Sequence, residues 1–398
     1  MDATPLMQTD VYKSRGHFFW RLKVGTATVI FCLSVSAVPI YNKLVFAEGV
    51  CDGKACLKKY PYPMATAFLQ LSLVSLVLAL VNMVGHLSDR DQSWILGPHY
   101  LYKIRHVAPV GLLFGFKYAV TNWGLQIVPV GMHLLLQSTD IIWTILLAEY
   151  VNGEDLGVIE ILAALCSGTG SFLIGLHAVD TLDEPLVPIL VNLLPPFILA
   201  LCVSTLRMGT QELLRPDNRL AGSMSVVEFT AIKLALSALT AFALAMLCES
   251  TGVNGHLSWW RALAEESDAG ILLVLLGGVF ILIFQVNLTW LAALTSVATV
   301  GIIGGVKIIP QWILNGLFQL EVDLEPLNVL GAFLVLAASA FYAAASFADC
   351  KLVIRSSGDC QSISLRWEAR KRRDRLLPEA SCPSSNTSCP FLSDRIVF

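Results

Sequence analysis

Val297-Ala-Thr-Val-Gly-Ile-Ile-Gly-Gly-Val-Lys307-Ile-Ile-Pro310 is a charge-free stretch that runs into a lysine. Its neighbours on both sides are apolar, so the whole segment 296–318 reads as a membrane helix with a cation near its middle. A lysine at that depth costs at least about 2.5–3.5 kcal/mol on an insertion scale. It therefore pairs internally, snorkels to an interface, or lines a cavity that takes an anion. Gly301 and Gly305 form a G-x-x-x-G face that allows close helix approach. Glycines just before a lysine thin the helix where a cavity could open beside the charge. Three more lysines, Lys43, Lys117 and Lys233, sit in similar surroundings.

The rest of the chain agrees with a membrane reading. It has 398 residues, of which 55% are hydrophobic and 14% charged, with a mean hydropathy of +0.67. A soluble domain carries about 25% charged residues. Ten stretches have the length and apolarity of a span: 24–46, 62–85, 105–127, 130–150, 156–177, 186–207, 225–248, 270–292, 296–318 and 326–348. Asn152-Gly153, Asp183-Glu184-Pro185 and Glu325-Pro326 mark boundaries. Short joins at 127–130 and 293–295 predict antiparallel hairpins. Most of the 27 Lys and Arg fall on the side that holds both termini, and only Lys54, Lys58, Lys59 and Arg261 fall opposite. The positive-inside rule then puts both termini in the cytosol.

The expected fold is all-α and polytopic, with ten transmembrane helices arranged as two inverted five-helix repeats, about 24–177 and 186–348. Asn122-Trp-Gly-Leu-Gln-Ile-Val-Pro-Val and Asn287-Leu-Thr-Trp-Leu-Ala-Ala-Leu-Thr-Ser open the two matching hairpins. Residues 1–23 form a cytosolic N-terminus without an apolar h-region, and the first span is a retained signal anchor. Residues 349–398 form a basic, disordered cytosolic tail around Arg370-Lys371-Arg372-Arg373, which can touch anionic lipid. The sequon Asn386-Thr387-Ser388 then faces the cytosol and stays unmodified.

Several intramembrane residues suit a solute site. Lys307 is the deepest cation, suited to phosphate or to an ion pair with Asp140 or Glu228. Asn42 and Lys43 end span one, where snorkelling competes with function. Lys117 precedes the polar stripe Tyr118, Thr121 and Asn122, which suits a cavity wall. Lys233 lies five residues after Glu228, a poor offset for pairing along one helix. His133, Gln137 and Asp140 fall at i, i+4 and i+7, one face of span four. That face can bind a polar group, offset a lysine, relay protons, or bond to other helices. Pro195-Pro196 removes two backbone donors from span six, giving either a broken helix at a binding region or a simple kink.

Catalysis is not expected. The chain has no G-x-x-x-x-G-K-[ST], no H-E-x-x-H and no nucleophile elbow. No Cys/His set has zinc spacing, and no cofactor is implied. Cys32, Cys166, Cys202 and Cys248 lie in apolar runs. Cys51 and Cys56 share a polar loop and could pair if it faces an oxidising lumen.

The order of these motifs resembles the nucleotide-sugar and triose-phosphate transporters of the drug/metabolite transporter superfamily. The resemblance covers about residues 24–348. It rests on the ten spans, Asn42-Lys43, Gly304-Gly305-Val306-Lys307, Asn122–Val130, Arg207-Met-Gly-Thr-Gln-Glu-Leu-Leu, and Asn328-Val-Leu-Gly331. It implies an antiporter that exchanges a nucleotide sugar or related organic phosphate for a nucleoside monophosphate or phosphate. It also implies that Lys307 meets the phosphate, and that the membrane is of the Golgi or endoplasmic reticulum. The partners implied are a small anionic solute and lipid, with no nucleic acid, and a homodimer is compatible. Ile308 departs from the arginine of plastid phosphate exchangers. Gln137-Ser-Thr-Asp140 departs from a stretch where many relatives carry proline. Two other classes fit the residues: a proton-coupled carrier of a non-phosphorylated metabolite or drug, and a non-transporting membrane scaffold.

Overall fold

In lipid a backbone must satisfy its own hydrogen bonds, so apolar stretches of this length settle as helices. The computed structural model describes residues 6–48, 51–52, 55–56, 60–89, 92–128, 133, 136–137, 139–154, 156–176, 186–215, 218–250, 257–307, 309–311, 313–314 and 326–357. The helices are α1 Leu6–Lys43, α2 Pro63–Ser88, α3 Tyr100–Ile127, α4 Asp140–Tyr150, α5 Val158–Leu176 and α6 Leu186–Leu213. They continue as α7 Val226–Cys248, the short α8 Trp259–Ala264, α9 Asp268–Leu294, α10 Val297–Val306 and α11 Pro326–Ser357. A π turn, Leu44–Glu48, extends α1. The two-residue strands Cys51–Asp52 and Ala55–Cys56 pair antiparallel with Cys51 opposite Cys56.

Among the described residues, five helices are long and apolar enough to cross a membrane: Lys23–Phe46, Pro63–Ser88, Val187–Leu213, Val226–Cys248 and Asp268–Leu294. Val158–Leu173, Val297–Gln311 and Val329–Tyr342 are shorter apolar helices. The ten stretches expected from sequence therefore divide. The third carries Arg105 and Lys117, which lower its apolarity, and of the fourth the described residues 133, 136, 137 and those from Asp140 on are helical. The loops with the acidic residues 180–184 and 321–325, the basic run 370–373 and the sequon 386–388 lie outside the described residues.

Helix starts follow capping chemistry. The side chains of Ser225, Ser267 and Ser296 accept from the backbone N–H of Glu228, Gly270 and Thr299. Pro195 and Pro196 lie inside α6, which runs on through them. Of the two expectations for this pair, the broken helix does not occur; two adjacent prolines in a membrane helix are tolerated where neighbouring helices pack around the freed carbonyls. Leu76, Leu80, Val84, Leu247, Leu272 and Phe333 stand exposed on outer faces, as lipid-facing residues do.

α2 lies on α7 and α4 on α10; α3 packs against α6 and α7; α9 packs against α1 and α2. Glycine sets the tightest of these approaches. A Cβ at Gly115 of α3 would stand 2.3 Å from the Ser237 carbonyl oxygen of α7, and one at Gly277 of α9 would stand 2.2 Å from Gln70 of α2. Residues 1–342 form one compact unit, and 343–398 form another in which 343–357 are helical.

Candidate functional site

A cavity of about 800 Å³, including the space continuous with its mouth, opens among six helices. Its apolar wall comes from Phe31, Val35 and Val38 of α1, Leu199 and Val203 of α6, and Phe284 and Leu288 of α9. Its polar wall is Lys117, Tyr118, Thr121 and Asn122 of α3, Gln137 before α4, Asp140 and Thr144 of α4, and Lys307 and Gln311 at the end of α10. Small-molecule sites have this mixture of apolar surface and few polar groups.

The two lysines in this wall differ in kind. Lys307, 5% exposed, ends α10 and forms a hydrogen-bonded ion pair with Asp140, the first residue of α4. Its backbone carbonyl accepts from Ser36 of α1 at 3.0 Å. Lys117, 8% exposed, has neither an ion pair nor a hydrogen bond among the described residues. Its Nζ lies 5.0 Å from the centre of the Tyr118 ring, a cation–π contact that leaves its donors open to the cavity. Three more buried polar atoms of the wall lack a partner among the described residues: Thr121 Oγ1, Gln137 Nε2 and Gln311 Oε1. Buried polar groups in native proteins are normally bonded, and these atoms stand open to a partner from the cavity.

The other sequence-derived candidates stand behind or beside this wall. Asn42 donates to Asn122 at 3.1 Å and accepts from Gln70 at 3.1 Å, while Asn122 donates to the Pro63 carbonyl at 3.2 Å. This chain of amides holds Asn122 in the wall. Tyr118 accepts from Gln285 of α9 at 2.6 Å. His133 bonds to Asn192 of α6 at 2.6 Å through Nδ1 and does not line the cavity, although Gln137 and Asp140 of the same face do. Lys233 donates to Thr289 at 2.8 Å and sits 4.9 Å from the Phe114 ring centre, away from the cavity.

Lys43 ends α1 and donates to the carbonyls of Leu125 and Val128 at 2.9 and 3.0 Å. These are the free carbonyls at the end of α3, so Lys43 acts there as a C-terminal cap. Arg207 of α6 does the same for α9, donating to Ala292 and Ala293 at 2.7 and 3.1 Å. In the sequence Arg207 stands out only as the first residue of a motif. Sequence alone offers Glu228 as a partner for Lys307. In the structure Lys103 and Glu228 bury each other at 2.5 Å, with Ser93 bridging both. Gln311 was missed, although four residues after Lys307 it falls on the same helix face.

The glycines before Lys307 divide their work. A Cβ at Gly301 would stand 2.7 Å from Thr144 of α4, and one at Gly305 would stand 2.5 Å from Ser167 of α5. Gly304 has nothing within 4 Å and is the position that opens space beside the lysine.

Residues 52–176 match the EamA-like transporter family. A solved structure titled "Crystal structure of protein", 14% identical, aligns over 80% of this chain and 94% of its own with a TM-score of 0.51. That likeness concerns the fold. No curated protein matches the chain. The apolar helices are those of a multi-pass membrane protein, and residues 52–176 carry the likeness to a transporter family.

Proposed function

We propose that this chain is a secondary transporter for a small organic anion, and that Lys117 holds the anion. The observation that carries this reading is a buried cation facing the cavity with no anion bound to it among the described residues. A lysine left open in this way is expensive at membrane depth and is stabilised when an anionic ligand arrives. Gln137, Thr121 and Gln311 offer neutral hydrogen bonds beside it. The resemblance to nucleotide-sugar and triose-phosphate transporters narrows the anion to a nucleotide sugar or related organic phosphate, with phosphate nearest the lysines. Lys307, Asn122, Tyr118 and Asp140 complete this site. Asn42, Lys43, His133 and Lys233 support it from outside the cavity.

Exchange follows from the same charge. An empty carrier would have to reorient with an uncompensated cation, whereas the loaded carrier moves with that charge neutralised. The protein therefore works as an antiporter by alternating access, returning with a nucleoside monophosphate or phosphate.

The frame for this motion is a ten-helix inverted repeat in which α1–α5 correspond to α6, α7, α9, α10 and α11. Packing supports it. Exchanging partners by that scheme turns α3 on α7 into α9 on α2, and α3 on α6 into α9 on α1; α2 on α7 and α4 on α10 map onto themselves. The Lys43 cap on α3 likewise becomes the Arg207 cap on α9. Both termini then face the cytosol, and the Golgi or endoplasmic reticulum is the membrane the resemblance favours. A carrier of a non-phosphorylated metabolite is the second reading, because the Asp140–Lys307 pair places a carboxylate in the cavity.

The test is binding. Purified protein in lipid nanodiscs is heated with nucleotide sugars, nucleoside monophosphates and the parent uncharged nucleosides. The proposal expects a rise in melting temperature with one phosphate series and none with its nucleoside. Lys117→Gln should weaken the phosphate effect at least about tenfold, the scale of one lost charge-assisted hydrogen bond. Equal stabilisation by the nucleoside would contradict it.

A further inference from the structure

Lys43 and Arg207 each hold the last carbonyls of a helix that lines the cavity. Lys43 brings α1 to the end of α3, where Leu125, whose carbonyl it holds, is itself part of the cavity wall. Arg207 brings α6 to the end of α9, where Leu288, one turn before Ala292, is part of the wall. α1 and α6 line the cavity as well, through Val35 and Val38 and through Leu199 and Val203. Each cation therefore ties two walls of the cavity to one another at their ends.

The two ties lie at opposite ends of the bundle. Tyr102, in the first turn of α3, donates to Glu212 of α6 at 2.7 Å, and Arg207 lies in the same last part of α6. Arg207 thus sits where α3 begins, and Lys43 where α3 ends. The stretch of α3 from Tyr102 to Leu125 spans about 35 Å at about 1.5 Å per residue, close to the thickness of a membrane. A second contact holds the end at Arg207. Glu154, after α4, accepts from the backbone N–H groups of Val297 and Ala298, the first residues of α10, at 2.8 and 3.1 Å. Arg207 and Glu154 therefore grip the short α9–α10 joint from its two sides.

These ties are the kind of contact a moving carrier can give up. A helix-end carbonyl released at a membrane face bonds to water instead, so the net cost of release is small. Apolar packing between helices has no such replacement. A carrier that alternates must open at one end while it stays fastened at the other.

We infer that Lys43 and Arg207 are the two gate ties of the carrier: release of Lys43 from α3 opens the cavity at one membrane face, and release of Arg207 from α9 opens it at the opposite face. This rests on the transporter reading above. Both ties are made in this structure. Loss of one shifts the population towards the state open at its own end, because only the fastened state loses a contact.

The experiment reads access to the cavity from each face. Gly304→Cys supplies the reporter, because that position lines the cavity and a Cβ there meets nothing within 4 Å. The full chain is reconstituted in one orientation, and a charged, membrane-impermeant thiol reagent is applied either outside or inside. Labelling at position 304 is read by peptide mass spectrometry, so the native cysteines stay in place. The quantity compared is the ratio of the two labelling rates. Adding Lys43→Met should move this ratio at least about threefold towards one face, the scale of one net hydrogen bond. Adding Arg207→Met should move it by a similar factor towards the other face. Should either variant fail to fold, Lys43→Gln replaces the first, and Glu154→Ala, which loosens the same joint, replaces the second. Lys43→Arg, which keeps donors for both carbonyls, should hold the ratio near that of the parent. Shifts towards the same face, or an unchanged ratio in folded variants, would overturn the inference and leave phosphate binding in nanodiscs standing by itself. Opposite shifts in a protein that binds no phosphate would uphold the gates and remove the anion reading.

Discussion

Lys307 and Lys117 look alike in sequence, each a lysine in an apolar helix, and differ in what they touch. Lys307 is one half of a buried ion pair, so removing it leaves Asp140 without its counter-ion. Breaking such a pair from one side is costly, whereas replacing both halves by apolar groups is often neutral. We expect Lys307→Met to lower stability by about 3 kcal/mol, and the Lys307→Met/Asp140→Leu double variant to recover most of it. Thermal melts of the three proteins in detergent check this; equal losses in the single and double variants would refute the pairing. Lys117 should behave oppositely. Its substitution relieves an uncompensated cation, so stability should hold or rise while anion binding falls. The sequence made the rarity of these lysines legible but not their partners, because a contact between α4 and α10 is a property of packing. Lys43 shows the same limit: its role as a cap depends on where α3 ends.

At the scale of single elements, α10 carries its own test. Ala at Gly301 would meet Thr144, and such overpacking costs about 1–3 kcal/mol. Ala at Gly304 meets nothing and should keep stability while narrowing the cavity. Melting temperature and ligand affinity, measured on both variants, should therefore separate; a stability loss at Gly304 as large as at Gly301 would count against this placement of the cavity. At the other end of the bundle, Glu249 follows α7 and accepts from the backbone N–H groups of Met64 and Ala65, both at 2.8 Å, at the start of α2. Burial pushes its carboxyl up from 4.5 to about 7, and the two backbone donors only partly offset this. The folded state then binds the proton more tightly than the unfolded chain. Its contribution to stability is full below about pH 4.5 and is lost as pH rises through about 7. Melting temperature should fall across that window, and Glu249→Gln should flatten the fall; an unchanged pH profile in the variant would show that another group is responsible. Helix positions were readable from apolarity, and the Ser caps suit the starts of α7, α9 and α10. The trans-cap by Glu249 was not, since nothing local to residues 63–65 points to a carboxylate far along the chain.

For the whole molecule, the inverted scheme proposed above is hinted at in the sequence by Asn122 and Asn287 opening similar stretches. The stronger signs, the matched helix contacts and the Lys43 and Arg207 caps, need three dimensions. Two halves that pack by the same rule can trade places around a fixed central cavity, which is what a carrier requires. The central claim is that this cavity carries an organic phosphate across the membrane by exchange. Liposomes containing the purified protein are loaded with a nucleoside monophosphate mixture, and uptake of labelled nucleotide sugars is followed against empty liposomes. The account predicts uptake that is stimulated by one internal nucleotide and lost in Lys117→Ala; uptake indifferent to the internal nucleotide, or unchanged in that variant, would contradict it.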